Sequence, residues 1–156
     1  MLRLDKIKAT AHVASVKAHK ALKNGEFVNL VKIDETAAYG VGEIFTTAAP
    51  KANDKKVALV AGVELMHDEQ YGIAEYTVAK DAVVRAIFVE KGDIITVTND
   101  VVASIIATPA IGAYVVVKEG NAPKYVASVD GTETIVMEVI ANTTLAGEKA
   151  VQLLVL

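Results

Sequence analysis

Cysteine and tryptophan are both absent from this 156-residue sequence, and aromatic side chains make up only 5% of it. The absence of cysteine excludes a disulfide framework, a thiolate metal site and a cysteine nucleophile. The shortage of Trp and Tyr removes the side chains that usually anchor tight binding sites. Any partner surface is therefore expected to be broad rather than pocket-like.

Signals for nucleic acid, phosphate or membrane binding are also missing. The net charge is −3 and the lysines are scattered, so no basic surface for a nucleic acid is expected. The glycines form neither a GxGxxG nor a GK[ST] sequence. The first residues, MLRLDKIK, lack the apolar core of a signal peptide. The longest uncharged run, Val101–Val117, is shorter than the ~20 residues of a membrane-spanning helix, and we interpret it as two strands around Pro109.

Short β-forming runs dominate what is present. Hydrophobic residues reach 53%, mostly Ala and Val, and they occur in about ten runs separated by turn signals. This pattern predicts a mainly β fold, a compact β-sandwich or barrel-like domain of about ten short strands. At most one or two short helices are expected, and the best candidates are Asp5–Lys23 and Asn99–Ala107.

The chain reads as one β domain over residues 24–156, preceded by an N-terminal arm or first edge element over residues 1–23. The run Lys56–Leu65 is almost continuously apolar, which is typical of a strand covered on both faces. The final run, Ala150–Leu156, predicts a strand docked in the sheet, with docking on a neighbouring subunit as the alternative.

A charged turn interrupts the β-forming stretch AIFVEKGDIITVT, Ala86–Thr98. We predict a hairpin here, with Gly92 in the left-handed region and Glu90, Lys91 and Asp93 in solvent. The tripeptide Lys91-Gly92-Asp93 also has the form of an adhesion-receptor ligand. Because turns are rich in such residues, the structural interpretation is favoured.

Chemistry-bearing residues are sparse. His67, Asp68 and Glu69, with Glu64 nearby, form the densest group of candidate metal ligands, and we expect a solvated loop, with a metal site or acid–base catalysis as alternatives. The other histidines lie far away in the sequence. No serine lies in a nucleophile elbow. We therefore predict no enzymatic activity, no cofactor and no metal.

The order of several segments resembles the capsid decoration, or head cement, proteins of tailed bacteriophages. The segments are KNGEFVNL, GEIFTTAAP, VALVAGVELMHDEQYG, VVRAIFVEKGDIITVT, IGAYVVVKEG, KYVASV and TIVMEVIANTTL. The most specific are Arg85–Asp93 and Gly112–Val116, and the resemblance spans roughly residues 24–156.

The resemblance implies a non-enzymatic virion structural protein on the outer surface of an icosahedral phage head, made in the host cytoplasm. Its partner would be the major capsid protein, with self-association on the capsid surface as a further expectation. An N-terminal arm would add to capsid strands, and Leu2, Leu4 and Ile7 are its candidate capsid contacts. An ordinary first strand of the domain is the alternative for these residues. The alternative function is a β-domain of a phage tail or adhesion module that binds a host surface or ligand.

Overall fold

Most strands of this protein belong to a six-stranded sheet or to a closed five-stranded barrel, and residues of both pack in one core. A computed structural model describes residues 1–8, 12–35, 43–62 and 76–156. The predicted fold class is confirmed, since the described residues are mainly β and hold both a sheet that covers a core and a closed barrel. They contain thirteen strands: β1 (Leu2–Lys6), β2 (Val13–Lys17), β3 (Leu22–Lys23), β4 (Phe27–Ile33), β5 (Ile44–Ala48), β6 (Val57–Val60), β7 (Thr77–Val78), β8 (Val83–Ile87), β9 (Ile94–Thr98), β10 (Tyr114–Val117), β11 (Lys124–Val126), β12 (Ile135–Leu145) and β13 (Glu148–Val155).

Six strands form an antiparallel sheet in the order β1-β9-β13-β12-β10-β11. One face of this sheet is apolar, because alternate residues such as Ile95, Leu153 and Met137 point inward and are fully buried. The C-terminal run is an internal strand, since β13 pairs with β12 on one side and β9 on the other. The prediction of a docked final strand is therefore confirmed.

The barrel closes in the order β2-β5-β4-β6-β8, and β3 and β7 form a separate two-stranded sheet. Strands β2 and β5 are parallel, whereas the other neighbours in the barrel are antiparallel. Small side chains fill its interior, among them Ala14, Val16, Ala58, Val60 and Ala86. A barrel of five strands has a narrow interior, so it requires such small residues. The high Ala and Val content of the sequence thus has a structural cause.

Strand β6 is covered on both faces, as the sequence predicts. Val57 and Leu59 pack with Phe27 in the core beneath the six-stranded sheet. Ala58 and Val60 point the other way, into the barrel. Residues 63–65 of the same apolar run lie outside the described residues.

The predicted hairpin over Ala86–Thr98 is wrong. Strand β8 ends in the barrel and β9 begins in the six-stranded sheet, so the segment between them crosses from one sheet to the other. The turn itself is present: Asp93 N–H donates to the Glu90 carbonyl at 3.0 Å, and Gly92 has φ +93°. Each strand joins the sheet whose core fits its inward side chains. The residues of the turn between two strands do not determine which sheet the second strand joins.

Both helix candidates are also wrong. The segment Asp5–Lys23 contains β2 and β3, because its alanines alternate with valines and fit the barrel interior. Within the second candidate, only Asn99–Val101 forms one turn of 3-10 helix. Of the two strands expected around Pro109, only β10 is present. No helix in the described residues is long or apolar enough to cross a membrane.

Candidate functional site

Strand β1 forms one edge of the six-stranded sheet and holds two of the candidate capsid contacts. Leu2 and Leu4 pair in register with Val97 and Ile95, so their side chains face inward and pack, with Ile7, against the core. The N-terminal residues 2–6 therefore belong to the sheet as an edge element. The capsid role of these three side chains stays a prediction, and their inward direction leaves the main chain of β1 as the group available to a partner.

The outward face of β1 has a compact polar network. Arg3 Nε donates to Asp5 Oδ1 at 2.6 Å, and the Thr96 hydroxyl donates to the other oxygen of Asp5. Burial by itself raises the pKa of Asp5, but the hydrogen bonds from Thr96, Arg3 and Gln152 and the charge of Arg3 outweigh it and hold this pKa below its usual value of 3.8. The network fixes the strand at its bulge between Leu4 and Lys6.

The open edge of β1 presents main-chain hydrogen-bonding groups. Among the described strands, β1 pairs only with β9. Thr98 N–H donates to the Met1 carbonyl at 3.0 Å. Because hydrogen-bonded residues alternate along an antiparallel pair, Arg3 also bonds toward β9, and the main-chain groups of Leu2 and Leu4 point away from it. An extended segment placed beside β1 would find these groups in position to pair.

A cleft of about 340 Å³ adjoins this edge, and Leu2, Arg3 and Leu4 form one of its walls. The far wall of this edge cleft is formed by Arg85 on β8, by Ala61 and Gly62 just after β6, and by Asn24. One wall is thus an unpaired strand edge, and the other is main chain and polar side chain. This composition suits an extended peptide better than a small apolar ligand.

Asn24 and Gly62 hold the far wall rigid. The side-chain amide of Asn24 donates to the Gly62 carbonyl at 3.0 Å and accepts from the Gly62 N–H at 2.8 Å. These are the two main-chain bonds that Gly62 would form with a neighbouring β-strand, so the side chain of Asn24 takes the place of a strand here. A Cβ on residue 62 would lie 2.6 Å from Cγ2 of Val84, so the close approach of this segment to β8 requires glycine.

The turn before β9 does not present an adhesion ligand. Asp93 is only 3% exposed, which corrects the expectation that it lies in solvent. Its carboxylate accepts hydrogen bonds from the main-chain N–H groups of Lys8 and Glu90, at 3.0 and 2.8 Å. A carboxylate that is buried and bonded in this way is not exposed to a partner. The structure instead uses it to join the end of β1 to the turn.

The candidate metal ligands Glu64, His67, Asp68 and Glu69 lie outside the described residues. In the part of the chain that is described, no group of three or more His, Asp or Glu side chains is arranged to hold a metal ion. His12 contacts the ring of Phe88, with centroids 5.4 Å apart.

His19 lies apart from these residues, against β5. Its Nδ1 is 3.1 Å from Oγ1 of Thr47, whose hydroxyl donates to the Lys17 carbonyl at 2.7 Å. Burial and the charge of Lys20 lower the pKa of His19, although a hydrogen bond with Asn121 and the charge of Glu26 act in the opposite direction.

A second cleft, of about 360 Å³, lies at one end of the barrel and is apolar. It is lined by Leu30, Phe45 and Phe88, with His12 and Lys56 at its margin. Two of the three phenylalanines in the sequence therefore line one opening, although aromatic residues are scarce overall.

Sequence reasoning missed Asn24, Gly62 and Asp93 as site-building residues. The sequence gives no signal for the role of Asn24, because the partner of its side chain lies 38 positions away. Comparisons with protein-family models, curated proteins and solved structures found no match.

Proposed function

We propose that this protein is a non-enzymatic virion structural protein that decorates and stabilises the icosahedral head of a tailed bacteriophage by bridging capsomers. The observation that carries the proposal is the one-sided edge of β1, which opens into a cleft with a rigid opposite wall. Its partner is the major capsid protein, and its location is the outer surface of the head.

The mechanism is strand addition. An extended capsid segment would pair with the main-chain groups of Leu2 and Leu4 and occupy the edge cleft. Such pairing depends on main-chain bonds and needs few aromatic anchors, in agreement with the composition of the chain. Each contact is modest, but many copies on one shell bind through effective concentration, and a bridging copy resists separation of its neighbours.

The test combines purified protein with undecorated heads of the phage that carries its gene, followed by sedimentation. We expect the wild-type protein to pellet with the heads. Leu2→Pro removes the N–H that points to the open edge and retains the pairing of Arg3 with β9. Leu2→Ala is the matched control, since it loses the same side chain and keeps the N–H.

Leu2→Ala should pellet with the heads, whereas Leu2→Pro should bind about ten-fold more weakly, as expected for the loss of one buried hydrogen bond. Thermal unfolding of both variants checks that each is folded. Wild-type protein that stays in the supernatant with its own heads would overturn the decoration role. Equal binding by the two variants would overturn strand addition at β1.

The apolar barrel cleft favours a second candidate, a β-domain of a phage tail or adhesion module that binds a ligand or host surface. Phe45 and Phe88 are the residues on which this alternative depends. Phe88→Ser would weaken binding to host cells and leave binding to heads unchanged, so the same two binding assays separate the candidates.

A further inference from the structure

The outer face of the six-stranded sheet contains a row of residues in mutual register. Following the strand order, the row starts at Lys6 on β1, continues through Ile94, Leu154 and Glu138, and ends at Tyr114 and Val126. These side chains point away from the core, because their strand neighbours Ile95, Leu153 and Met137 point into it. We call the first four of these residues, Lys6, Ile94, Leu154 and Glu138, the outer row. Their pattern is cation, apolar, apolar, anion.

Both charges of the outer row are unused within the described part of the chain. Lys6 forms no ion pair there, and neither does Glu138, although six other ion pairs do occur among the described residues. Ile94, Leu154 and Glu138 are all half-buried by their neighbours in the sheet. Glu138 thus lies in a mostly apolar setting without a cation, and Lys6 is exposed at the other end of the row.

A two-fold axis makes the outer row complementary to itself. If the axis lies between two facing sheets, parallel to the strands and midway between β9 and β13, the row of one copy meets the reversed row of the other. Lys6 then faces Glu138 of the second copy, and Ile94 faces Leu154. Sheets that pack face to face keep their strands nearly aligned, about 10 Å apart, which this arrangement satisfies.

We propose that the outer face of the six-stranded sheet is a self-association surface, on which two copies of this chain pack through the outer row with Lys6 of each copy paired to Glu138 of the other. The partner on this surface is a second copy of the chain, because the signs and the order of the charges in the outer row are complementary to those of the same row reversed. This inference goes beyond the capsid role and does not depend on it.

The surface is small, so the dimer should be weak. The outer row spans three strand spacings, roughly 14 Å, and strands of about five residues add about 17 Å in the other direction. The next row is polar, because Arg3, Asp5 and Thr96 bond to one another and offer little apolar area. A footprint of this size is well below the ~800 Å² per partner of standard interfaces. Association is expected only at high concentration, as on a crowded surface.

Sedimentation equilibrium of the purified protein tests the proposal at concentrations up to about 1 mM, where weak dimers are populated. Lys6→Glu places two carboxylates opposite each other at two symmetric positions, and Glu138→Lys places two ammonium groups there. Each single variant should lower the association constant about ten-fold, since both pairs change from attraction to repulsion. The double variant Lys6→Glu/Glu138→Lys restores both pairs and should recover wild-type association.

Control variants are Lys55→Glu and Glu35→Lys, which reverse exposed charges on the barrel side of the molecule. Both should associate as wild type does. A dissociation constant of about 1 mM is on the order of the weakest that can be measured. A protein that remains monomeric at that concentration would overturn the proposal. Association that is insensitive to the single reversals, or is not recovered in the double variant, would place the contact on another surface and overturn it equally. Binding to heads is measured separately, so neither outcome bears on the decoration role.

Discussion

The main-chain N–H of Lys8 donates to Oδ1 of Asp93 at 3.0 Å, and this bond joins the end of the first strand to the turn that precedes β9. The second carboxylate oxygen accepts from Glu90 N–H at 2.8 Å. Asp93 is therefore a buried acceptor that closes both the turn and the entry to the sheet edge. Its position at the end of an adhesion-like tripeptide has a structural cause.

Replacing Asp93 with Ala should destabilise the fold by about 1–3 kcal/mol, because two main-chain N–H groups lose a charged acceptor. The free energy of unfolding in urea measures this. Lys91→Ala, at the exposed tip of the same turn, should change it by less than about 0.5 kcal/mol. Equal effects of the two substitutions would contradict the role given to Asp93.

Gly62→Ala should destabilise the protein by about 1–3 kcal/mol through overpacking, since the new Cβ would lie 2.6 Å from Cγ2 of Val84. Shortening Val84 to Ala removes the clashing methyl groups. The double variant Gly62→Ala/Val84→Ala should therefore be less destabilised than the sum of the two single variants. Strict additivity in chemical denaturation would show that the two sites are not in contact.

Asp5 should contribute to the acid sensitivity of the fold. Its pKa in the folded state lies below the usual 3.8, because hydrogen bonds and Arg3 outweigh the effect of burial. Its stabilising contribution is therefore present above pH 3.8 and is lost as the pH falls through the lower folded value. Asp5→Asn should be less stable than wild type at pH 7, and the difference should shrink toward pH 2. A difference in the free energy of unfolding that stays constant between pH 7 and pH 2 would contradict the stabilising role of the ionised Asp5.

His19 should be neutral and carry its proton on Nδ1. The hydroxyl hydrogen of Thr47 is donated to the Lys17 carbonyl, so Nδ1 of His19 must be the donor in its contact with Thr47. Nitrogen-15 NMR of the ring near pH 8 should report this tautomer, and Thr47→Val should shift the population toward Nε2–H. The opposite tautomer in the wild-type protein would refute the assignment.

His19 should also contribute to the acid sensitivity of the fold. Its pKa is lowered by burial, whereas the pKa of Asp5 is lowered by hydrogen bonds and the charge of Arg3. Burial lowers the pKa of His19 below 6.5 in the folded state. Protonation therefore favours the unfolded chain, and stability that is present above pH 6.5 declines as the pH falls through the folded value. His19→Gln should remove this part of the decline.

The sequence predicts the fold class because alternation and turn residues are local properties. The two-sided burial of Val57–Val60 and the internal position of the final strand were both read from runs of apolar residues. The division of the strands between the two sheets was not, because it depends on which inward side chains fit which core. Ile87 and Ile94 are seven positions apart yet belong to different sheets.

The candidate site was harder to predict for the same physical reason. Leu2 and Leu4 were identified as an edge strand or arm, but their inward direction follows from pairing with Ile95 and Val97, more than 90 positions away. The far wall of the edge cleft depends on the bonds of Asn24 to Gly62. Side-chain amides of this kind leave no periodic trace in a sequence.

Strand β6 has one further consequence for how this molecule assembles. Its side chains alternate in size as well as in direction, with Leu59 on the side of the six-stranded sheet and Ala58 in the barrel. A slip of one residue would drive Leu59 into an interior lined by Ala14 and Ala86 and leave Ala58 to fill the larger core. A slip of one residue in β6 would therefore destabilise the packing of both sheets at once. Because of this, correct pairing of β6 in one sheet favours correct packing in the other.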